Sequence, residues 1–247
     1  MTLSILFLTN LYAPYIYTDM INIIKKPAEF DLDQFYSDYE TEQIPMVVNG
    51  KKFSFLIPKT IDRFINKDNL FDEFPLWAKI WEAATVLSAY MADLPVNPAK
   101  RFLEIGAGIG VVEIVAASFG HRVLMSEHNP DALKFARANT AINNCDNLEI
   151  KDLDWNKPVC DGRFDQIIGS EVVYKKSDIK SLLMLFNKCL KPGGNITLAE
   201  GMRKTGLIFL EEMGQYFHIK AGKRILRTDD SAKEFVLFQM KSKINPT

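Results

Sequence analysis

Metal-binding and disulfide chemistry have little to work with in this chain. Three cysteines (Cys145, Cys160, Cys189) and three histidines (His121, His128, His218) are spread through 247 residues. The cysteine number is odd, no C-x-x-C pair occurs and the histidines lie far apart. Neither a disulfide framework nor a zinc site is therefore expected, and a reducing cytoplasm is the default location. Charge of one sign is also missing: Lys+Arg total 30 against 31 Asp+Glu, a net charge of -1. That balance gives no reason to expect a polyanion such as nucleic acid as partner. No run reaches the about 20 apolar residues that a membrane-spanning helix needs. The apolar stretch Leu3 to Tyr17 is broken by Asn10 and Pro14 and has no Lys or Arg ahead of Lys25, unlike the basic start of a secretory signal. It is expected to cover the core as a strand or helix, unless translation starts at Met20, which the intact mass of the native protein would decide. Repeats and low-complexity tracts are absent. A hydrophobic content of 47% is enough for the sizeable core of one globular enzyme.

The most informative stretch is Phe102-Leu103-Glu104-Ile105-Gly106-Ala107-Gly108-Ile109-Gly110. Its apolar run reads as a buried strand and Val111 to Ala117 as the helix that follows. Gly106 and Gly108 would then let backbone amides approach a ligand at the strand's C-terminal edge. A dinucleotide fingerprint would need its third glycine where Val111 stands; here the third glycine is Gly110. Glu104 adds negative charge beside the turn, which suits a cation better than a pyrophosphate. S-Adenosylmethionine, with a sulfonium and an ammonium, meets that demand. On this motif alone, a plain strand-turn-helix with packing glycines stays open. A second apolar run, Val123 to Glu127, ends in an acid at about the 20-residue offset where such folds hold a ribose. The Glu127 carboxylate can accept both hydroxyls of a diol. Asn129 and Pro130 then start a helix as cap and first residue, with Leu133, Ala136 and Ile142 toward the sheet. His128, alone at a strand end, is read as a rim residue with no catalytic part.

The turn has the acid-x-G-x-G-x-G form of the first motif of class I, seven-strand S-adenosylmethionine-dependent methyltransferases, and the chain resembles them. Within that class, three segments are similar to the methyltransferase-16 family of protein-lysine methyltransferases. Ile80 to Tyr90 resembles the segment W-[DE]-A-A-x-V-L-x-x-Y-L, which implies that Trp81 lies against the cofactor. Spacing of Trp77, Ile80, Trp81, Ala84, Leu87 and Met91 predicts a helix from Pro75 with these residues on its core face; Trp77 is read as packing. Leu153-Asp154-Trp155, after a strand at Leu148 to Lys151, resembles the Leu-x-Trp that the family places beside the adenine. Asp154 would accept from the adenine amino group or nearby amides, and Trp155 would stack on the ring. For Asp154, a turn beside a buried aromatic is the alternative. Glu171-Val172-Val173-Tyr174 closes a buried strand beginning at Phe164 and matches [DE]-x-x-[YF], with glutamate replacing the commoner aspartate. Glu171 would hold the substrate ammonium and Tyr174 would shape the amine channel. The [DNS]-P-P-[YF] of base-methylating enzymes is missing here, so a nucleic-acid base is less expected than a protein amine.

The expected architecture is α/β: a Rossmann-like, seven-stranded, mostly parallel sheet with helices on both faces over residues 75–247, behind an N-terminal extension, residues 1–74. In that extension Asp31 to Glu42 reads as an acidic, aromatic surface segment. Val47 to Phe53 reads as a hairpin around a type I′ Asn49-Gly50 turn, either a substrate lid or a structural flap. Further on, Ser177 would cap a helix through Leu190, Lys191 to Gly194 would turn sharply, and Asn195 to Ala199 would form the fifth strand. Tyr216 to Ile219, Lys223 to Arg227 and Glu234 to Met240 would supply the last, antiparallel strands. The resemblance implies S-adenosyl-L-methionine as cofactor, held by Trp81, Glu104, Gly106, Gly108, Gly110, Glu127, Asp154 and Trp155. It implies methyl transfer to a lysine of a protein substrate at Glu171 and Tyr174, with no metal and no membrane. Two alternatives are a small-molecule N- or O-methyltransferase and a catalytically silent cofactor-binding module. A lysine ammonium, with a pKa of about 10.4, has no lone pair and must lose a proton before attack. Glu171 alone would oppose that loss.

Overall fold

The computed structural model describes residues 30–66, 74–145, 148–201, 203–227 and 232–243. The Leu3 to Tyr17 stretch and Met20 lie outside them. In the compact unit Leu32–Thr247, helix α1 (Leu32–Asp38) and a hairpin of β1 (Thr41–Val48) and β2 (Lys51–Pro58) come first. Helix α2 (Glu82–Asp93) leads into β3 (Arg101–Ile105), α3 (Val111–Ser118), β4 (Arg122–Glu127), α4 (Pro130–Ile142) and β5 (Glu149–Asp152). Then follow β6 (Phe164–Ser170), α5 (Lys176–Cys189), β7 (Leu190–Gly201), α6 (Lys204–Met213), β8 (Phe217–Arg227) and β9 (Ala232–Ser242). The main sheet has seven strands in the order β5-β4-β3-β6-β7-β9-β8. All run parallel except β9, which is antiparallel to both neighbours.

This is the expected Rossmann-like sheet. The central strands are buried on both faces: Leu103 and Ile105 of β3 and Ile167 and Ile168 of β6 are fully buried, as helices on both faces require, while the edge strands β5 and β8 are largely exposed. From β3 the chain winds outward through β4 to β5, then returns to β6 on the other side of β3. The connections on the two sides of that switch leave in opposite directions, which opens a crevice at the strands' C-terminal ends.

Several local expectations are corrected. The helix predicted from Pro75 starts at Glu82; before it, Leu76–Ala78 forms a single 3-10 turn and Trp81 is an extended cap residue. Both pieces face the core, so their apolar spacing continues across a break that periodicity cannot register. Helix α5 starts at Lys176, ahead of the expected Ser177 cap, because the Asp178 carboxylate accepts from the Lys175 N–H at 2.8 Å. The sharp turn at Lys191 to Gly194 lies inside β7: Phe164 pairs with Leu190 and Gln166 with Asn195, so residues 191–194 bulge out between them. The two short strands expected at Tyr216 to Ile219 and Lys223 to Arg227 are one strand, since Ala221 and Gly222 carry on the ladder with Phe238 and Leu237. The Asp31 to Glu42 segment is no mere surface. Phe35 and Tyr39 are buried and pack edge-on against Phe135 of α4. The cysteines also depart from expectation: a disulfide joins Cys160, in the loop after β5, to Cys189 at the end of α5. They come together although 29 positions apart in sequence, an adjacency that counting cysteines cannot reveal. Among the described residues no helix is long and apolar enough to cross a membrane.

The hairpin turns where expected, with Asn49 and Gly50 both left-handed at φ 46° and 79°. It is fastened to α4 by two asparagines. Asn139, fully buried, accepts from Leu56 N–H at 2.6 Å and donates to Leu56 C=O at 3.1 Å and to Ile109 C=O at 2.9 Å. Asn143 accepts from Ser54 N–H at 3.1 Å and donates to Ser54 C=O at 2.7 Å. The helix thus meets the β2 backbone as a neighbouring strand would, and Asn139 ties the glycine turn to the same point. Asn139→Ala strips buried backbone groups of their partners and is expected to cost about 2–3 kcal/mol in urea unfolding. The half-exposed Asn143→Ala costs about 1 kcal/mol, because water replaces what it loses. Equal losses would contradict the clamp at Asn139.

Candidate active site

The C-terminal ends of β3, β4 and β6, with the loop after β5 and the segment before α2, surround a cavity of about 550 Å³. Of the residues expected to hold a cofactor, Trp81, Glu104, Gly106, Gly108, Glu127, Asp154 and Trp155 all line it, as do Glu171 and Tyr174. Gly110 does not. It is the cap residue of α3 at φ 89°, and a Cβ there would meet Met125 Cε at 2.8 Å, so its glycine serves packing beneath the turn.

Gly106 takes φ 61°, and a Cβ on it would sit 3.2 Å from the Trp155 ring and 3.3 Å from Val172. Gly108 donates its N–H to Glu127 Oε2 at 2.9 Å, while Glu127 Oε1 accepts from His128 N–H at 2.8 Å and Asn129 N–H at 2.9 Å. Glu127 therefore links the end of β4 to the glycine turn and to the start of α4. His128 is exposed and bonds Asp152 at 2.8 Å, a contact that raises its pKa. Asp154 Oδ1 accepts from Asn156 N–H at 2.8 Å, closing the turn that presents Trp155. Trp81 donates from Nε1 to Leu76 C=O at 2.6 Å, and the Lys79 ammonium lies 4.1 Å from its ring. Trp77, expected to be packing, meets Phe64 edge-on at 4.8 Å and also walls the cavity.

Glu104 behaves differently from expectation. Glu104 is 1% exposed, and no donor among the described residues reaches its Oε2 or either oxygen of Glu113, a buried acid on α3. Burial first, and then the Glu113 carboxyl beside it, raise Glu104 well above the usual carboxylate range; burial pushes Glu113 to about 7. The negative charge expected of Glu104 is thus replaced by a proton.

At the other end of the cavity Glu171, 5% exposed, adopts φ 51° at the end of β6. This left-handed step turns its side chain toward β7, where Oε1 accepts from Gly201 N–H at 2.9 Å. Oε2 lies 2.6 Å from Arg203 Nη2, a charge contact without the alignment of a hydrogen bond. The same guanidinium lies 5.5 Å from the Tyr174 ring. Burial, and next the charge of Glu171, push the Tyr174 phenol above its usual range. Glu200, 2% exposed on β7, accepts from Val172 N–H at 2.9 Å, and burial raises it to about 8. Sequence reasoning missed Glu113, Glu200 and Arg203. An acid near the end of the apolar run Ile196 to Ala199 was a readable signal for Glu200, since ligands of such sheets bind outside the strands' carboxyl ends. Arg203 had none, because its contact depends on how the chain leaves β7.

The chain is 32% identical over 129 residues to Protein N-lysine methyltransferase METTL21A of Danio rerio, covering 49% of this chain and 58% of that protein. It is 32% identical over 112 residues to Histone-arginine methyltransferase METTL23 of Xenopus laevis, covering 42% and 48%. The chain thus spans about half to three-fifths of the length of these relatives. The structure of P. horikoshii TYW2 in complex with MeSAdo superposes with a TM-score of 0.54 at 17% identity, over 82% of this chain and 72% of that one, a likeness of fold. The lysine methyltransferase family model matches residues 75–216, and with that match over a site of this form the chain belongs to the lysine methyltransferase family.

Proposed function

We propose that this protein transfers a methyl group from S-adenosyl-L-methionine to a lysine side chain of a protein in the cytoplasm. Residues 75–247 would form the catalytic domain and residues 1–74 an N-terminal extension, of which α1 and the hairpin brace α4. The observation that carries the reading is one cavity lined by the glycine turn, Glu127, Trp155 and Glu171. Its residues fit the cofactor. Glu104 Oε2 is a buried acceptor that no donor claims, and Gly106 leaves open the space that a Cβ would fill against Trp155. Glu127 can exchange backbone N–H partners for a ribose diol, Trp155 can wall an adenine with Asp154 at its edge, and Trp81 lines the same cavity. When bound, the cofactor supplies an electrophilic methyl on a sulfonium.

The chain's own part is to seat the amine, ease its proton loss and exclude water. A bare carboxylate would stabilise the ammonium and hinder attack. Arg203, 2.6 Å from Glu171, balances much of that charge. Glu171 can then orient the amine through a hydrogen bond without holding its proton firmly. Glu200, raised to about 8, adds no negative charge at neutral pH. Tyr174 stays a phenol and shapes the channel; most of the rate would come from orientation. A second reading, an arginine side chain as acceptor, is favoured by the guanidinium already seated on Glu171 and by the likeness to Histone-arginine methyltransferase METTL23.

The test is transfer of labelled methyl from S-adenosylmethionine into a lysate of the source cell, followed by acid hydrolysis of the labelled protein. Label in a discrete band as methyl-lysine, reduced about 100-fold or more by Glu171→Ala, is the expected result. Methyl-arginine would move the assignment to the second reading. Label confined to small molecules would transfer it to a small-molecule methyltransferase, and cofactor binding without any transfer would leave a binding module.

The state of Glu200 is tested separately. Its pKa rises from the usual 4.5 to about 8 on folding, so below 4.5 it imposes no penalty. As pH climbs from there to about 8, the folded form keeps a proton that the unfolded chain loses, and stability falls by about 1.4 kcal/mol per unit. Glu200→Gln removes that slope. Urea unfolding is expected to show the variant gaining on the wild type between about pH 5 and pH 8; a constant difference would mean that Glu200 is ionised when folded.

A further inference from the structure

Helix α3 presents one acid, Glu113, among Val111, Val112, Ile114, Val115 and Ala116, all buried. A buried carboxyl with a purely structural role needs a donor, and among the described residues none is aligned to hydrogen-bond either of its oxygens; only the Glu104 carboxyl and its own backbone N–H come near. What stands beside it is Glu104 on β3, which lines the cavity while Glu113 does not.

Among the described residues no cation acts on Glu104; Lys79, which also lines the cavity, sits over the Trp81 ring. The titratable groups bearing on Glu104 are Glu113 from α3 and, at the end of β4, Glu127, which is also acidic. Along the sheet its register partners are Met125 and Ile168. The nearby Ser126 hydroxyl donates instead to the Glu104 backbone C=O at 2.6 Å. From α2 the cavity wall is Ala84. Two carboxyls packed together out of water with no cation beside them cannot both ionise. At least one proton stays between them.

We infer that Glu113 is a positioning residue for the cofactor: it shares a buried proton with Glu104, and arrival of the cofactor's cationic end at Glu104 expels that proton. This rests on the S-adenosylmethionine reading above. The exchange balances: a positive charge enters the cavity, one proton leaves the carboxyl pair for the buffer, and Glu104 becomes the anion that faces the ligand. Affinity for the cofactor is then set by pH through a residue that never touches it. Burial of Glu113 to a pKa of about 7 puts the exchange in the neutral range.

The experiment is calorimetric titration of the full chain with S-adenosylmethionine between about pH 6 and about pH 7.5, below the range near 8 where an α-amino group loses its own proton. Two buffers of different ionisation enthalpy report the protons exchanged. The wild type is expected to release protons on binding, with Kd falling toward the limit of about tenfold per pH unit for one proton. Glu113→Gln, isosteric and able to donate to Glu104, is expected to lose most of that release and flatten the pH dependence while still binding at about pH 7.5. Wild-type binding with no proton release would overturn the inference whatever the variant does, and so would a variant that keeps the wild-type slope. Absence of binding at every pH would overturn the cofactor reading itself, and the inference with it.

Discussion

Four glutamates, Glu104, Glu127, Glu171 and Glu200, stand at or next to the C-terminal ends of neighbouring strands, and keeping them together in one poorly hydrated crevice constrains the rest of the site. Each has a different solution. Glu127 gathers three backbone N–H groups from the glycine turn and the start of α4. Glu171 takes the Gly201 N–H and the Arg203 guanidinium. Glu200 takes the Val172 N–H and, at neutral pH, a proton. Glu104 leaves Oε2 without an aligned donor among the described residues and meets another acid. The crevice is therefore divided: at one end charge is met by a fixed cation, and at the other a proton retained between two acids keeps both from ionising together.

On the proposed reading, that division suits transfer of a methyl group from a sulfonium to an amine that arrives as an ammonium and must lose its proton. The donor end needs negative charge only once the ligand is present. The acceptor end needs enough negative charge to orient an amine and too little to hold its proton. An unpaired carboxylate would fail the second requirement, and a permanently ionised, unpaired Glu104 would carry a large desolvation cost in the empty site.

Geometry of this kind needs a firm frame. Phe35, Tyr39 and Phe64 from the N-terminal segment pack with Phe135 of α4 and Trp77 of the cavity wall. Asn139 binds β2, α4 and the glycine turn at a single buried point. None of the hairpin residues lines the cavity; besides α4, the hairpin turn bonds Asp93 of α2 and Lys51 bonds the Ser118 C=O of α3. On the other side the Cys160–Cys189 disulfide ties the loop that carries Asp154 and Trp155 to the end of α5.

The sequence by itself determined what depends on neighbours along the chain. Gly106 and Gly108 marked the turn, Asn49-Gly50 the hairpin, Asn129-Pro130 the start of α4, and buried apolar runs the strands that end in Glu127 and Glu171. These signals are legible because a turn's backbone angles or a strand's two buried faces dictate residue type locally. Only the tertiary structure decided what depends on contact between distant segments: the break before α2, the Cys160–Cys189 pairing, Arg203 on Glu171, and the protonation of Glu104. An acid's charge follows from what surrounds it in three dimensions. Glu113 lies on the next helix, nine positions along from Glu104, and nothing in that spacing shows that the two carboxyls meet in the dark side of one turn without a cation between them.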